Sequence, residues 1–535
     1  MRTADRRQKR SLDWLKAAVL LVTAVGILIR FTNLDNKPFW WDEILTLTFS
    51  AGYTTGEVEA DLGSAPRVKA VDQVLQLQRA SPERGLTDVM RPLREETVQP
   101  PIFFALLHLW ELHVGDSMRL IRALPAVLSL LVLPAAWWFC RGLFGSERVA
   151  WLSVSLLSVS PLHLAYAQEV RQYSLWTAMI LVTCAVLLRA LEGGSRKAWL
   201  AFSLAATASL YTHLLTGFLL MGLGVYVLYR ERWRFSSKVE DFLISLALVG
   251  VAFGPWLLAL TDPRRTFTRL QYWTGERFST GSPSASWGEN LSRMIFDFSN
   301  FPARPTEGAA NVIGAVAVAL LCACAVLALA RKPDRRPLWF LAAMAVPGAA
   351  ILGGWDALQG GIRSDVPRFL IPSYLGLHIA IAHLLSEGLR GTSSRWIRDV
   401  SILVLIGLWG LGAVSSWQNS QSNQIWSKPQ SGSIHWAAET INAGPSALVL
   451  HAGIPALGLA WKLDPNVKLM SARRAAGEER IEIPPGSGEV YGYALTGRLR
   501  KQLSRDYELT PVIGGAGEPR PQTILCRVTR KTNVP

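Results

Sequence analysis

Long uninterrupted apolar runs recur along this chain, and no other feature restricts its fold as strongly. Each is roughly 17 to 25 residues, the length of helix that crosses about 30 Å of hydrocarbon at 1.5 Å per residue. A soluble fold of 535 residues with 50% hydrophobic content would spread those residues along the chain. Here they are gathered into blocks, as a polytopic helical membrane protein requires.

The net charge of +15 raises the question of nucleic acid, because a basic face is the footprint of phosphate binding. Its placement answers that question. Lys and Arg collect between the apolar runs: Arg2, Arg6, Arg7, Lys9 and Arg10; Arg141 and Arg148; Arg196 and Lys197; Arg230, Arg232, Arg234 and Lys238; Arg331, Lys332, Arg335 and Arg336; Arg390, Arg395 and Arg398. Such clusters are topology signals, and no nucleic-acid partner is expected. The five cysteines give neither a disulfide framework nor a zinc site, since Cys140, Cys184, Cys322 and Cys324 lie in or beside apolar runs and Cys526 stands alone. The first run, Leu15 to Ile29, follows basic sequence as in a signal peptide, but no small-residue cleavage site follows it, so an uncleaved span is expected.

With the basic N-terminus in the cytoplasm, about eleven spans follow, centred near Val22, Leu131, Leu156, Leu181, Ala205, Leu220, Leu248, Leu320, Ala345, Leu377 and Leu405. Every basic cluster then falls inside. Two large outer segments remain, about Phe31 to Arg119 and about Thr261 to Pro305. Within the first, Pro100 to Leu112 is too short to span and reads as an interfacial helix carrying His108 and Glu111, with His113 just beyond. After residue 417 the sequence turns polar. Short β-like runs (Ala447 to His451, Val467 to Met470, Glu489 to Leu495, Thr523 to Val528) predict a small α/β domain over 418–535 on the outer side.

This topology makes some charges conspicuous. Arg171, Arg363 and Arg368 sit in short outer loops beside Glu169, Asp356 and Asp365, where the positive-inside rule does not call for them. They are either site residues or interfacial anchors and loop-to-loop ion pairs. Just past the first span stands Phe39-Trp40-Trp41-Asp42-Glu43. Paired Trp suits the headgroup region, whereas a partly desolvated carboxylate can hold a raised pKa and act as a base. If a helix begins here, neighbours point about 100° apart, so one carboxylate would be catalytic and the other structural. Alternatively, both merely favour a helix N-terminus.

Five landmarks, taken in order, resemble one family: Arg30 to Thr46 (RFTNLDNKPFWWDEILT); Gln99 to Phe104 (QPPIFF) leading to Gly115-Asp116 and Arg119 to Pro125 (RLIRALP); Pro161 to Leu175 (PLHLAYAQEVRQYSL); Tyr211-Thr212-His213; and Pro367 to Pro372 (PRFLIP). They look like the GT-C glycosyltransferases, specifically the bacterial branch of family 39, similar to protein O-mannosyltransferases and the aminoarabinose transferase of lipid A. The resemblance spans roughly Leu15 to Leu385.

That resemblance implies a polyprenyl-phosphate sugar donor, a lipid, glycan or protein acceptor, and an inverting displacement at the anomeric carbon, with or without a divalent metal. Asp42 matches the family's catalytic carboxylate, with Glu43 beside it. Arg368, Arg171 and, less closely, Arg363 suit a leaving lipid phosphate. Arg119 and Arg122 either meet phosphate or anchor a helix start. Glu169, in Glu169-Val170-Arg171-Gln172-Tyr173, either orients the acceptor, binds a metal or pairs with Arg171. His213 is either a phosphate or metal contact or a satisfied polar residue. His108 and His113 read as interfacial. No His/Asp/Cys cluster has metal-ligand spacing, which leaves the cofactor undetermined. The chain departs from the family at Gln99, where relatives often carry His, and in the polar stretch Gly52 to Val98, which looks like an insertion. A lipid-linked glycan ligase or polymerase, or a transporter, are the competing classes. A transporter would be expected to place its charges near mid-span, and a ligase its dominant outer loop late in the chain.

Overall fold

A computed structural model describes residues 2–64, 68–95, 99–261, 283–297, 307–390, 392–424, 431–444, 446–472, 481–512 and 524–531. The chain divides into two compact units, Met1–Thr32 with Gln99–Phe103 and Ala123–Ser420, and Asn33–Val98 with Phe104–Arg122 and Gln421–Pro535. Most of the expected second outer segment lies outside the described residues.

Seven helices among the described residues are long and apolar enough to cross a membrane: Met118–Phe144, Tyr173–Gly193, Ser237–Ala259, Val312–Ala330, Arg336–Gln359, Pro367–Gly388 and Arg395–Gln421. A further pair of apolar helices, Glu147–Val159 and Pro161–Ala167, is bent by 62° at Ser160 and makes an eighth where the two count as one span. The protein is therefore a multi-pass membrane protein. Ten of the eleven expected centres fall in helices, and Leu131 lies at a one-residue break inside the span Met118–Phe144, but hydropathy is blind to where a helix stops. Pro161 lacks an N–H and holds Ser160 extended (φ −63°, ψ 120°), which breaks the third span. His213 (φ −156°, ψ 127°) ends Arg196–Thr212 after 17 residues, and Thr216–Arg230 has only 15.

Small residues bring these helices together, as expected where lipid tails give no hydrophobic drive to association. A Cβ on Gly26 would lie 2.2 Å from the Ser158 carbonyl oxygen, so only glycine lets the first helix reach Glu147–Val159 at that point. Arg30, buried at the end of the same helix, donates to the carbonyls of Leu157 and Ser158, which the break at Ser160 leaves without helical partners. Outward-facing side chains such as Leu204, Val251 and Ile313 are exposed and apolar, the surface a lipid solvent accepts.

The second unit is built on a six-stranded sheet, β1 (Val68–Ala70), β2 (Ala447–His451), β3 (Lys468–Ser471), β4 (Glu489–Tyr493), β5 (Tyr507–Pro511) and β6 (Leu525–Arg530), in the order β1-β3-β2-β4-β6-β5. β2 is buried along its whole length between parallel neighbours β3 and β4, which is why it reads as a continuous apolar run. Edge strand β1 pairs antiparallel with β3, Val68 opposite Met470. It comes from the Gly52 to Val98 stretch. The domain expected from 418–535 alone thus takes in the first outer segment as well, because a three-residue edge strand carries no pattern to announce its pairing.

Candidate active site

In the second unit, Trp41–Ser50 forms a helix that begins at the second Trp of the pair, and its first turn carries both carboxylates. Successive positions send them different ways. Glu43 is fully buried. Its Oε2 accepts from Arg122 Nη2 at 2.9 Å and from the Trp40 backbone N–H at 3.2 Å, and its Oε1 from Arg122 Nε at 3.3 Å. The same guanidinium donates to the carbonyls of Leu34, Lys37 and Pro38 and lies 4.6 Å from the Phe39 ring centre. Arg122 therefore fixes the turn that feeds the helix and, through Glu43, the helix start itself. Asp42 is only half-buried, and its backbone carbonyl accepts from Thr46 Oγ1 at 2.7 Å.

Lys37 joins this cluster. Burial pushes its ammonium down to about 7, Arg122 pushes it further the same way, and Glu43 opposes. Arg119, by contrast, is exposed and pairs with Asp35 at 3.2 Å. The interfacial candidates have structural partners: His108 Nδ1 meets the Ser50 carbonyl at 2.8 Å, Glu111 accepts the Ala80 N–H at 2.9 Å, and His113 Nδ1 meets the Leu109 carbonyl at 2.7 Å.

The other named residues lie in the membrane unit. Glu169, Val170 and Arg171 occupy the non-helical break between Pro161–Ala167 and Tyr173–Gly193, and all three are buried. The break is held from both sides. Gln168 Nε2 donates to the carbonyls of Ile29, Arg30 and Thr32 at 3.0 to 3.3 Å, and Gln172 Nε2 donates to Gln99 Oε1. Gln99, where relatives often carry His, thus joins the second landmark to the third.

His213 sits in the turn after Arg196–Thr212, stacked on Trp176 at 4.1 Å between ring centres. Trp176 Nε1 in turn donates to Thr216 Oγ1 at 2.9 Å. His213 Nδ1 accepts the Leu215 N–H at 3.2 Å, so that nitrogen carries no proton and Nε2 is the donor. Arg171 and Arg368, 4% and 8% exposed, both lie within electrostatic reach of this imidazole. Glu169 and Arg368 share such reach of Tyr166.

Arg363 stands apart. It is bound to Asp356 at 3.2 Å and to the Gly360 carbonyl at 2.9 Å, and Asp356 also accepts from the N–H and Oγ of Ser364. The structure thus brings Arg171, Arg368, His213 and Glu169 together and leaves Arg363 in an ion pair of its own. Arg30, Gln168 and Lys37 were not singled out from sequence. Arg30 carried a usable signal, a charge closing the first span on the side where topology needs none. Among the described residues, no group of three or more His, Cys, Asp or Glu could hold a metal ion.

Residues 98–258 match the family described as dolichyl-phosphate-mannose-protein mannosyltransferase. No curated protein sequence matches the chain. Among solved structures, ArnT from Cupriavidus metallidurans bound to undecaprenyl phosphate is similar at a TM-score of 0.55 and 14% identity, over 97% of this chain and 98% of that one. The same protein in the apo state gives 0.53 and 14%, over 96% and 97%. The likeness to ArnT over nearly the whole chain shows that the two share a fold, and the family match falls on one segment of it, residues 98–258.

Proposed function

We propose that this chain moves a sugar from a polyprenyl-phosphate donor to an acceptor hydroxyl at the extracytoplasmic face of the membrane. The observation that carries the reading is that two buried guanidiniums, Arg171 and Arg368, both lie within electrostatic reach of His213, whose Nδ1 accepts the Leu215 N–H. Two guanidiniums held where water is scarce attract an anion far more strongly than surface cations do. A lipid phosphate is the anion that a membrane enzyme of this class releases, and the bound undecaprenyl phosphate in the similar ArnT structure supports that choice.

In the reaction the acceptor oxygen attacks the anomeric carbon, and the bond from that carbon to the phosphate oxygen breaks with its electron pair leaving on the phosphate. Asp42 takes the hydroxyl proton. Arg171 and Arg368 stabilise the charge that develops on the phosphate, and the His213 Nε2–H adds a donor. Glu43 holds the base-bearing helix through Arg122. Arg363, engaged with Asp356, takes no part in the chemistry. The outer-face assignment is supported by the positive-inside rule, which favours the orientation that puts the basic clusters in the cytoplasm. Incubation of purified protein with labelled polyprenyl-phosphate sugars tests the reading: free polyprenyl phosphate should appear, and a transporter or scaffold would leave every donor intact.

A further inference from the structure

The helix that begins just after Arg368 ends 18 residues later beside a second group of charges. In Ile371–Gly388, Glu387 stands in the last turn, and Lys332 Nζ pairs with its Oε2. Arg390 pairs with its Oε1 at 2.7 Å. Arg148, in the first turn of Glu147–Val159, lies within electrostatic reach of both Arg390 and Glu387. One turn deeper, His383 stacks on Phe144 at 4.9 Å between ring centres. It is 7% exposed, and neither ring nitrogen has a hydrogen-bond partner among the described residues. Glu387, Lys332 and Arg390 all act on it electrostatically.

Three cations thus surround one carboxylate and one imidazole, a net +2 with the imidazole neutral. A topology signal needs only basic residues near span ends; it does not need a carboxylate and an unpartnered imidazole set among them. Buried polar groups normally find partners, so the His383 nitrogens call for a ligand able to use them. The cluster lies where Glu147–Val159, Val312–Ala330 and Pro367–Gly388 meet their flanking loops. Trp396, in the first turn of Arg395–Gln421, is 73% exposed, as an aromatic at headgroup depth is. The Arg141–Glu147 pair in the loop before Arg148 is internally neutral.

From this geometry we infer that the end of the membrane unit opposite Arg368 binds a phosphate group, that of an anionic phospholipid headgroup. Arg148, Lys332 and Arg390 face the phosphate, Glu387 spaces the cations, and His383 supplies a hydrogen bond that the protein leaves unused. The site is separate from the transfer chemistry and does not depend on it.

The test uses the full chain in nanodiscs of phosphatidylcholine containing a minor fraction of phosphatidylglycerol. Phosphatidylglycerol remaining after detergent extraction is quantified by mass spectrometry. The wild type should retain it in preference to phosphatidylcholine, and each cation neutralised in Arg148→Gln and Arg390→Gln should weaken that preference about fivefold. His383→Phe, which keeps the stacking, should also weaken it. Arg390 is half-exposed, so Arg390→Gln should fold even if Arg148→Gln does not, and Arg390→Lys should restore binding. Wild-type retention in all three neutral variants would overturn the proposal. So would equal thermal stabilisation by inorganic phosphate alone, which would assign the site to a soluble anion.

Discussion

Glu43 and Arg122 form an ion pair at 2.9 Å with side chains 0% and 2% exposed, and this pair sets the start of the helix that carries Asp42. Two adjacent carboxylates thereby acquire different roles. Glu43 is engaged in holding the fold, and Asp42, one position earlier, is half-buried and carries the proposed base.

Removing one member of a buried pair leaves the other charge uncompensated, a cost of about 3 to 5 kcal/mol. Arg122→Ala should therefore lower the thermal midpoint strongly in detergent, and Glu43→Gln should do so to a lesser degree because an amide keeps part of the hydrogen bonding. Asp42→Asn should melt like the wild type. Unfolding curves for the three variants, followed by intrinsic tryptophan fluorescence, check the division.

The Lys37 ammonium gives the same cluster a pH signature. In the unfolded chain it titrates near the ordinary lysine value of 10.5, and in the fold near 7. Between these values the unfolded state binds more protons, so stability should rise as pH climbs from about 7 toward 10.5. Lys37→Met should flatten that rise. A slope unchanged in the variant would show that Lys37 is not held as the geometry implies.

Arg171→Ala and Arg368→Ala should each slow transfer by about a hundredfold to a thousandfold, the usual loss when one preorganised donor to developing charge is removed. Arg363→Ala should leave turnover within about threefold, because that guanidinium is engaged with Asp356 rather than with phosphate. Single-turnover rates with a saturating donor separate the outcomes.

Much of this was legible in the sequence. Ten of the eleven span centres landed in helices and the other, Leu131, at a one-residue break within a span, since about 20 apolar residues in a row have few other stable conformations. Ala447 to His451 was placed to the residue because this buried central strand is apolar from Ala447 to Leu450. β1 and β5 were missed: Val68–Ala70 is too short for an alternation, and Tyr507–Pro511 is mostly exposed. At the site, charges out of step with topology singled out Arg171 and Arg368. The Arg122 to Glu43 pairing was not readable, because it joins positions 79 apart and depends on how the intervening segment folds back.

Orientation is open to a direct check. Reporter fusions in the loops 141–148 and 331–336 should report the cytoplasm, and fusions at Ser433 and Asp506 the outer side. A cytoplasmic signal at Ser433 would put the sheet-bearing unit on the wrong face for the proposed chemistry.

The most direct test of the account is release of polyprenyl phosphate from a labelled polyprenyl-phosphate sugar, compared between wild type and Asp42→Asn. Asn nearly preserves the size and shape of the side chain but cannot take a proton at neutral pH. The wild type should consume one such donor in the presence of its acceptor, and a well-folded Asp42→Asn should consume none above background. Normal turnover by Asp42→Asn, or a well-folded but inactive Glu43→Gln beside it, would contradict the assignment of the base to Asp42.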